Sequence, residues 1–198
     1  MDEQISRRNF LRGVGATAMV SALAKATAVA QSAEALDDQK PVGPGPAKLV
    51  LQVNGHRQEI AVEPRETLLD VLRNRLQLTG AKEVCDRATC GGCTVLVNGQ
   101  PIYACMKLAV EMEGQEILTV EGLGDQKNLT RVQQAFIECD ALMCGYCTPG
   151  FVMSLTALFN EKKNPTLAEI KKACAGNLCR CGTYPHIFKA AQKVAESG

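Results

Sequence analysis

The chain has 198 residues, 46% of them apolar, which is enough for one ordinary domain or two small ones, each with a modest core. Its formal charge of +1 comes from 22 basic and 21 acidic residues scattered together, which excludes the concentrated basic face that nucleic acid requires. Aromatic residues make up only 4% and Trp is absent, so there is no stacking platform for bases or flat ligands, and the ten cysteines are left to carry the chemistry.

At the N-terminus, Ser6-Arg7-Arg8-Asn9-Phe10-Leu11 places a twin-arginine pair before a weakly apolar stretch from Gly13 to Ala30, interrupted by Lys25. Ala28-Val29-Ala30 then reads as a small-x-small cleavage signal. The pattern predicts a twin-arginine signal peptide over residues 1–30, periplasmic export of a folded protein, and no stable membrane span. An amphipathic N-terminal helix is the plain alternative. Residues 31–47, with Pro41-Val42-Gly43-Pro44-Gly45-Pro46, cannot bury a core and read as a flexible leader.

Order is expected from about Lys48. Leu49 to Val53 and Gln58 to Val62 are strand-like runs joined by Asn54-Gly55, a strong hairpin signal. Thr67 can cap a helix over Leu68 to Leu76, whose leucines recur at helical spacing. Thr94 to Val97 reads as a strand entering a second turn at Asn98-Gly99, and Glu116 to Val120 as a last strand. These elements predict a small α+β domain over residues 48–121. After a joint at Glu121-Gly122-Leu123-Gly124 the periodicity turns helical. Helices are expected over Leu129 to Glu138, Pro149 to Asn160, Thr166 to Ala175 and Pro185 to Ala195, a four-helix domain spanning residues 125–198.

Eight cysteines fall into two groups, one in each half. Cys85, Cys90, Cys93 and Cys105 read C-x4-C-x2-C with a more distant fourth member, the plant-type ferredoxin spacing. A 2Fe-2S unit has two tetrahedral irons, each completed by two thiolates, so four soft anionic ligands must be brought together. Gly91-Gly92 lets the loop fold tightly and aim N–H groups at sulfur. The second group is Cys144 and Cys147 with Cys179 and Cys181. Both pairs precede predicted helix starts, where Thr148 and Thr183 or Tyr184 can cap and Pro149 and Pro185 fit the first turn. Two positive helix ends would then face one anionic cluster and favour thiolate over thiol.

Disulfides fit poorly, because C-x-C and C-x4-C-x2-C crowd cysteines where bridges would strain. Two four-cysteine zinc sites are the stronger rival. A Rieske centre needs two histidine ligands, and His56 and His186 lie in no C-x-H pairing. Cys139 and Cys174 read as small buried hydrophobes, His56 and His186 as surface residues. Arg180, between two ligands, is either an electrostatic partner of the reduced cluster or a plain surface charge. No catalytic acid, base or nucleophile is expected in this chain, which carries no phosphate loop, dinucleotide fingerprint or metalloprotease motif.

Three motifs carry a family resemblance: Thr89-Cys90-Gly91-Gly92-Cys93-Thr94-Val95, Cys144-Gly145-Tyr146-Cys147-Thr148-Pro149-Gly150, and Gly176-Asn177-Leu178-Cys179-Arg180-Cys181-Gly182-Thr183-Tyr184. The chain resembles, over about residues 48–195, the small iron-sulfur subunit of the molybdenum hydroxylases, the xanthine dehydrogenase and aldehyde oxidoreductase family. That resemblance implies a β-grasp ferredoxin-like domain followed by an all-α 2Fe-2S domain. It implies a second cluster facing the molybdopterin cofactor of a large partner subunit, and a first cluster facing the acceptor, either an FAD-binding subunit or cytochrome c. The twin-arginine leader is similar to that of periplasmic three-subunit aldehyde dehydrogenases. Met143 stands where many relatives have Gln, and Val84 where Gly is frequent. A free-standing ferredoxin-like carrier and a structural zinc protein are the competing functions.

Overall fold

A computed structural model describes residues 43–125 and 127–197. The expected signal peptide and most of the expected leader lie outside the described residues. Within them the fold is mixed: a five-stranded sheet followed by helices.

β1 (Ala47–Val53) and β2 (His56–Val62) form an antiparallel hairpin in which Val53 opposes His56. Asn54 at φ 52° and Gly55 at φ 78° put both turn residues in the left-handed region, the geometry that matches the twist of the flanking strands. β3 (Thr94–Val97) and β4 (Gln100–Tyr103) repeat the device with Asn98 at φ 49° and Gly99 at φ 80°. β5 (Glu116–Leu118) lies between the hairpins, parallel to β1 and antiparallel to β3, so the order is β2-β1-β5-β3-β4. Pro101 sits on the edge strand β4, where its missing N–H disturbs no inner ladder. The last strand stops at Leu118, two residues short of the expected Val120, which instead opens a 3-10 turn over Val120–Gly122.

Leu49, Leu51 and Val53 alternate onto the inner face of β1. Against them pack Leu68 and Leu69 of α1 (Leu68–Asp70), which begins with a capping box between Thr67 and Asp70. The predicted α-helix to Leu76 is only partly realised, since Val71–Arg75 is a π turn closed by the Leu76 N–H on the Val71 carbonyl at 3.0 Å. A periodicity count is blind to that one-residue widening, because Val71 and Leu72 face the core either way.

Four further helices follow: α2 (Arg131–Glu138), α3 (Thr148–Glu161), α4 (Leu167–Ala173) and α5 (Tyr184–Glu196). Capping boxes at Thr130/Gln133 and Thr166/Glu169 start α2 and α4. α3 is buried on nearly every side, as a helix apolar all round must be. One face joins Phe136, Ile170 and Ile187 in the helical core, while Met153 and Ala157 pack on Leu96 of β3. β3 is therefore buried on both faces, which explains the uninterrupted burial of Thr94, Val95 and Leu96.

The two halves meet backbone to backbone. A side chain at Gly150, in the first turn of α3, would strike the Gly91 carbonyl, and one at Gly91 would strike the Gly176 carbonyl and Asn177. Gly91 also needs its φ of 68°. A glycine inside a helix ordinarily gains stability when replaced by Ala. Gly150→Ala should do the reverse and lower stability by about 1–3 kcal/mol through overpacking, read as a fall in Tm. A raised Tm would mean that the seam yields.

Candidate functional site

The first quartet sits on the loop between α1 and β3 and on the 3-10 turn after β4. Asp86 at φ 51°, Ala88 at φ 54° and Gly91 at φ 68° curl residues 85–93 so that main-chain N–H groups face inward. The Ala88 N–H lies 3.4 Å from Cys105 Sγ and the Gly92 N–H 3.5 Å from Cys90 Sγ. Non-glycine residues in the left-handed region are costly, and such strain gathers where function demands a particular loop shape. Cys105 arrives from the β3–β4 hairpin, and the Ala104 N–H holds that turn to the Cys93 carbonyl at 3.3 Å.

The second quartet brackets two helix starts. Cys147 is the residue from which α3 begins, with Pro149 in its first turn, and Cys179 and Cys181 precede α5, with Pro185 in its first turn. The expected caps are corrected here. Thr148 is already the first helical residue and makes no cap bond, and the side chain of Thr183, although at the cap position, does not bond its own helix, whose His186 and Ile187 N–H groups its carbonyl accepts at 3.1 Å. Its N–H lies 3.4 Å and its hydroxyl oxygen 3.5 Å from Cys179 Sγ instead. The Cys179 N–H donates to the Tyr184 hydroxyl at 2.8 Å, and that ring packs edge-on against Phe151.

Protonation preferences reveal how the sulfurs are grouped. A hydrogen bond from Thr89 draws the Cys85 thiol down to about 6, and Cys85 is in turn within hydrogen-bonding reach of Cys90, which burial pushes up. Burial, reinforced by the Cys105 thiol beside it, drives Cys93 up to about 12. In the second quartet burial and the neighbouring Cys179 raise Cys147 to about 12. At Cys179 burial pushes upward too, but the Thr183 hydroxyl and N–H outweigh it and hold the thiol at about 7. Cys144, lowered chiefly by the Tyr146 N–H, pairs with Cys181. Each sulfur thus acts most strongly on one other, 85 on 90, 93 on 105, 144 on 181 and 147 on 179, while weaker charge effects from Cys90 on Cys93 and from Cys144 on Cys147 join the pairs into quartets. Among the described residues no three His, Cys, Asp or Glu side chains converge on one point that a single ion could occupy. Two thiolates per iron is what a 2Fe-2S group needs, whereas one tetrahedral zinc needs four around a single centre, so the donor set fits the iron-sulfur group.

The two sites share a boundary. The Leu178 N–H, one residue before Cys179, donates to the Cys90 carbonyl at 2.9 Å. Gly91, one residue after Cys90, offers its carbonyl to the Thr94 hydroxyl at 2.7 Å and to Asn177 Nδ2 at 3.0 Å, while the Ser154 hydroxyl donates to Asn177 Oδ1 at 2.8 Å. Asn177 is 3% exposed, so these bonds have no competition from water. The sequence placed Thr94 and Asn177 in its motifs but gave them no role, and Ser154 went unnoticed. A polar residue two positions before a ligand was the available signal. A cleft of about 170 Å³ opens over the boundary, lined by Val84, Cys90, Cys144, Cys147, Leu178 and Arg180.

Comparison with known proteins resolves the class. Residues 51–122 match the 2Fe-2S iron-sulfur cluster binding domain and residues 119–192 the 2Fe-2S binding domain that goes with the description Fer2_2. The aldehyde oxidoreductase iron-sulfur-binding subunit PaoA of Escherichia coli (strain K12) is 38% identical over 98% of this chain and 90% of its own length. The chain belongs to the small 2Fe-2S subunits of the molybdenum hydroxylase family. Another member, the nicotine 6-hydroxylase small subunit of Paenarthrobacter nicotinovorans, is 46% identical over 71% of this chain and 84% of its own. Quinoline 2-oxidoreductase from Pseudomonas putida 86 superposes with a TM-score of 0.73 at 38% identity, covering 77% of this chain and 95% of that one. The aldehyde oxidoreductase from Desulfovibrio desulfuricans ATCC 27774 gives 0.73 at 35% identity over 76% of this chain but only 17% of its own.

Cys139 and Cys174 are buried, as expected, in the helical core that also takes in Cys147 and Cys179. His56 and His186 are exposed, His186 with Nδ1 at 3.0 Å from the Cys139 carbonyl. Arg180 is exposed on the cleft. Val84 and Met143, the two departures from the common pattern, are 57% and 66% exposed beside the quartets.

A thiol is alkylated as its thiolate, so it reacts above its pKa. In iron-free protein, Cys85 should be carbamidomethylated with a half-maximal rate near pH 6, while Cys93 and Cys147 stay protected up to about pH 12, as followed by peptide mass spectrometry. Equal labelling of all three at pH 7 would contradict the hydrogen-bond pattern at Thr89.

Proposed function

We propose that this chain is the electron-relay subunit of an exported, molybdenum-dependent aldehyde-oxidising enzyme. Cys85, Cys90, Cys93 and Cys105 hold one 2Fe-2S cluster, and Cys144, Cys147, Cys179 and Cys181 hold the other. The carrying observation is the direct bond from the Leu178 N–H to the Cys90 carbonyl, which ties the segment bearing Cys179 and Cys181 to the loop bearing Cys85, Cys90 and Cys93. The strand order β2-β1-β5-β3-β4 with α1 packed across it corresponds to a β-grasp, and α2 to α5 to the helical 2Fe-2S domain.

When bound, each cluster takes up one electron at a time, so two of them divide a two-electron oxidation into single steps. The chain's own residues supply the environment. N–H groups of Ala88, Gly92 and Thr183 reach sulfur, helix starts at α3 and α5 favour negative charge, and burial of Cys93, Cys105 and Cys179 keeps water from the inner sulfurs. Exposed Cys144 and Cys181 stand among exposed Leu142, Met143, Tyr146 and Leu178, an apolar rim suited to a large molybdopterin-binding partner. The first cluster then serves the acceptor, an FAD-binding subunit or cytochrome c. The twin-arginine motif supports periplasmic export. Among the described residues no helix is long and apolar enough to cross a membrane.

Aldehyde as substrate class is supported by the PaoA match, which runs along 98% of this chain. The 46% identity to the nicotine 6-hydroxylase small subunit supports a second reading, hydroxylation of an N-heterocycle. The substrate site belongs to the partner in both.

Purified with its partner, the protein should carry about four irons per chain. Cys181→Ser should reduce this to about two, leave the first cluster's visible and paramagnetic signals in place, and abolish reduction by aldehyde. Full iron content in that variant would remove Cys181 from the ligand set.

A further inference from the structure

Thr183 occupies the cap position of α5, where a threonine ordinarily accepts a hydrogen bond from the second or third helical N–H. Its hydroxyl makes no such bond, the helical N–H groups of His186 and Ile187 going to its carbonyl. Its side chain is 4% exposed, so no water replaces the missing partner, and its oxygen lies 3.5 Å from Cys179 Sγ. In the free thiol the Cys179 S–H can donate to that oxygen. A metal-bound thiolate has no proton, so only the threonine hydroxyl can then be the donor. We propose that Thr183 is a positioning residue for electron transfer, whose buried O–H donates to the Cys179 sulfur of the second cluster and raises that cluster's reduction potential. The proposal rests on the ligand role of Cys179 given above.

The physical basis is the change of charge. Reduction adds one electron to the site and moves its charge from about −2 to about −3, with no proton taken up. A donor aimed at sulfur stabilises the reduced form more than the oxidised form, and the effect is enlarged where water is absent. The Thr183 N–H at 3.4 Å acts in the same direction, and the bond from the Cys179 N–H to the Tyr184 hydroxyl fixes the main chain that presents the sulfur. The first site provides an internal contrast. Thr89 also acts on a cysteine, lowering Cys85, but Thr89 is exposed and water competes for its hydroxyl. The hydroxyl therefore biases the second cluster relative to the first and helps to set how an electron divides between them.

The test is a redox titration of the holoprotein with its partner, using dithionite as reductant and paramagnetic resonance to follow each cluster. The second cluster's signal is identified as the one lost in Cys181→Ser. Thr183→Val keeps the shape and removes the donor, and Thr183→Ser restores the donor. The expected result is a negative shift of the second cluster alone in Thr183→Val, about tenfold in the electron's partition or about 59 mV for a one-electron couple, with Thr183→Ser close to wild type. An unchanged midpoint in Thr183→Val overturns the proposal, as does an equal shift in Thr183→Ser, which would assign the effect to methyl packing. Thr183→Ala is the second variant. If neither it nor Thr183→Val assembles the second cluster, Thr183 is an assembly residue and the proposal is also overturned. Wild-type iron content is measured in parallel, and a value well below about four per chain would instead defeat the ligand assignment itself.

Discussion

The arrangement depends on a close approach of main chains between Gly91 and Gly150, locked by Asn177. Asn177 Nδ2 grips the Gly91 carbonyl, and the Ser154 hydroxyl holds the amide oxygen, so three segments distant in sequence share one buried set of bonds. Side chains at Gly91 or Gly150 would hold the two backbones apart. Because Gly91 follows Cys90 and Asn177 precedes Cys179 by two residues, any such separation is transmitted directly to the sulfurs. The interior here resists small changes in volume, so the spacing between the two sites is set by packing and not left to a hinge.

Each half contributes a different way of presenting sulfur. In the first, a loop with successive left-handed residues turns N–H groups toward the cysteines, and the strain is held by the sheet beneath and by the Lys82 N–H on the Gly92 carbonyl at 2.9 Å. In the second, helix starts do the work, and the main chain is held by aromatic packing of Tyr184 on Phe151. α3 connects the two solutions, since it begins at Cys147, passes Gly150 at the seam, and continues under β3 through Met153 and Ala157.

Much of this was legible from residue spacing. The paired Asn-Gly turns, the four later helices and both cysteine groups each follow from a local rule that context does not override. The π turn at Val71–Arg75 was not legible, because the apolar stripe is the same for either winding. The position of Thr148 before Pro149, and of Thr183 or Tyr184 before Pro185, suggests caps. The structure starts α3 one residue earlier and gives the Thr183 hydroxyl to sulfur, a competition that only the folded neighbourhood can decide. Asn177, Ser154 and Thr94 depend on contacts across 23 to 86 residues, beyond the reach of periodicity or motif.

The bond from Leu178 to Cys90 has an electrical meaning. It is a short through-bond bridge between the two cysteine quartets, and it exists only while the halves are seated. Each half can in principle keep its own sulfurs together by local geometry. On the proposed ligand assignment, a molecule whose halves had drifted apart would keep its iron and its colour but lose this bridge, so the speed of electron passage would report the integrity of the tertiary fold and not the metal content.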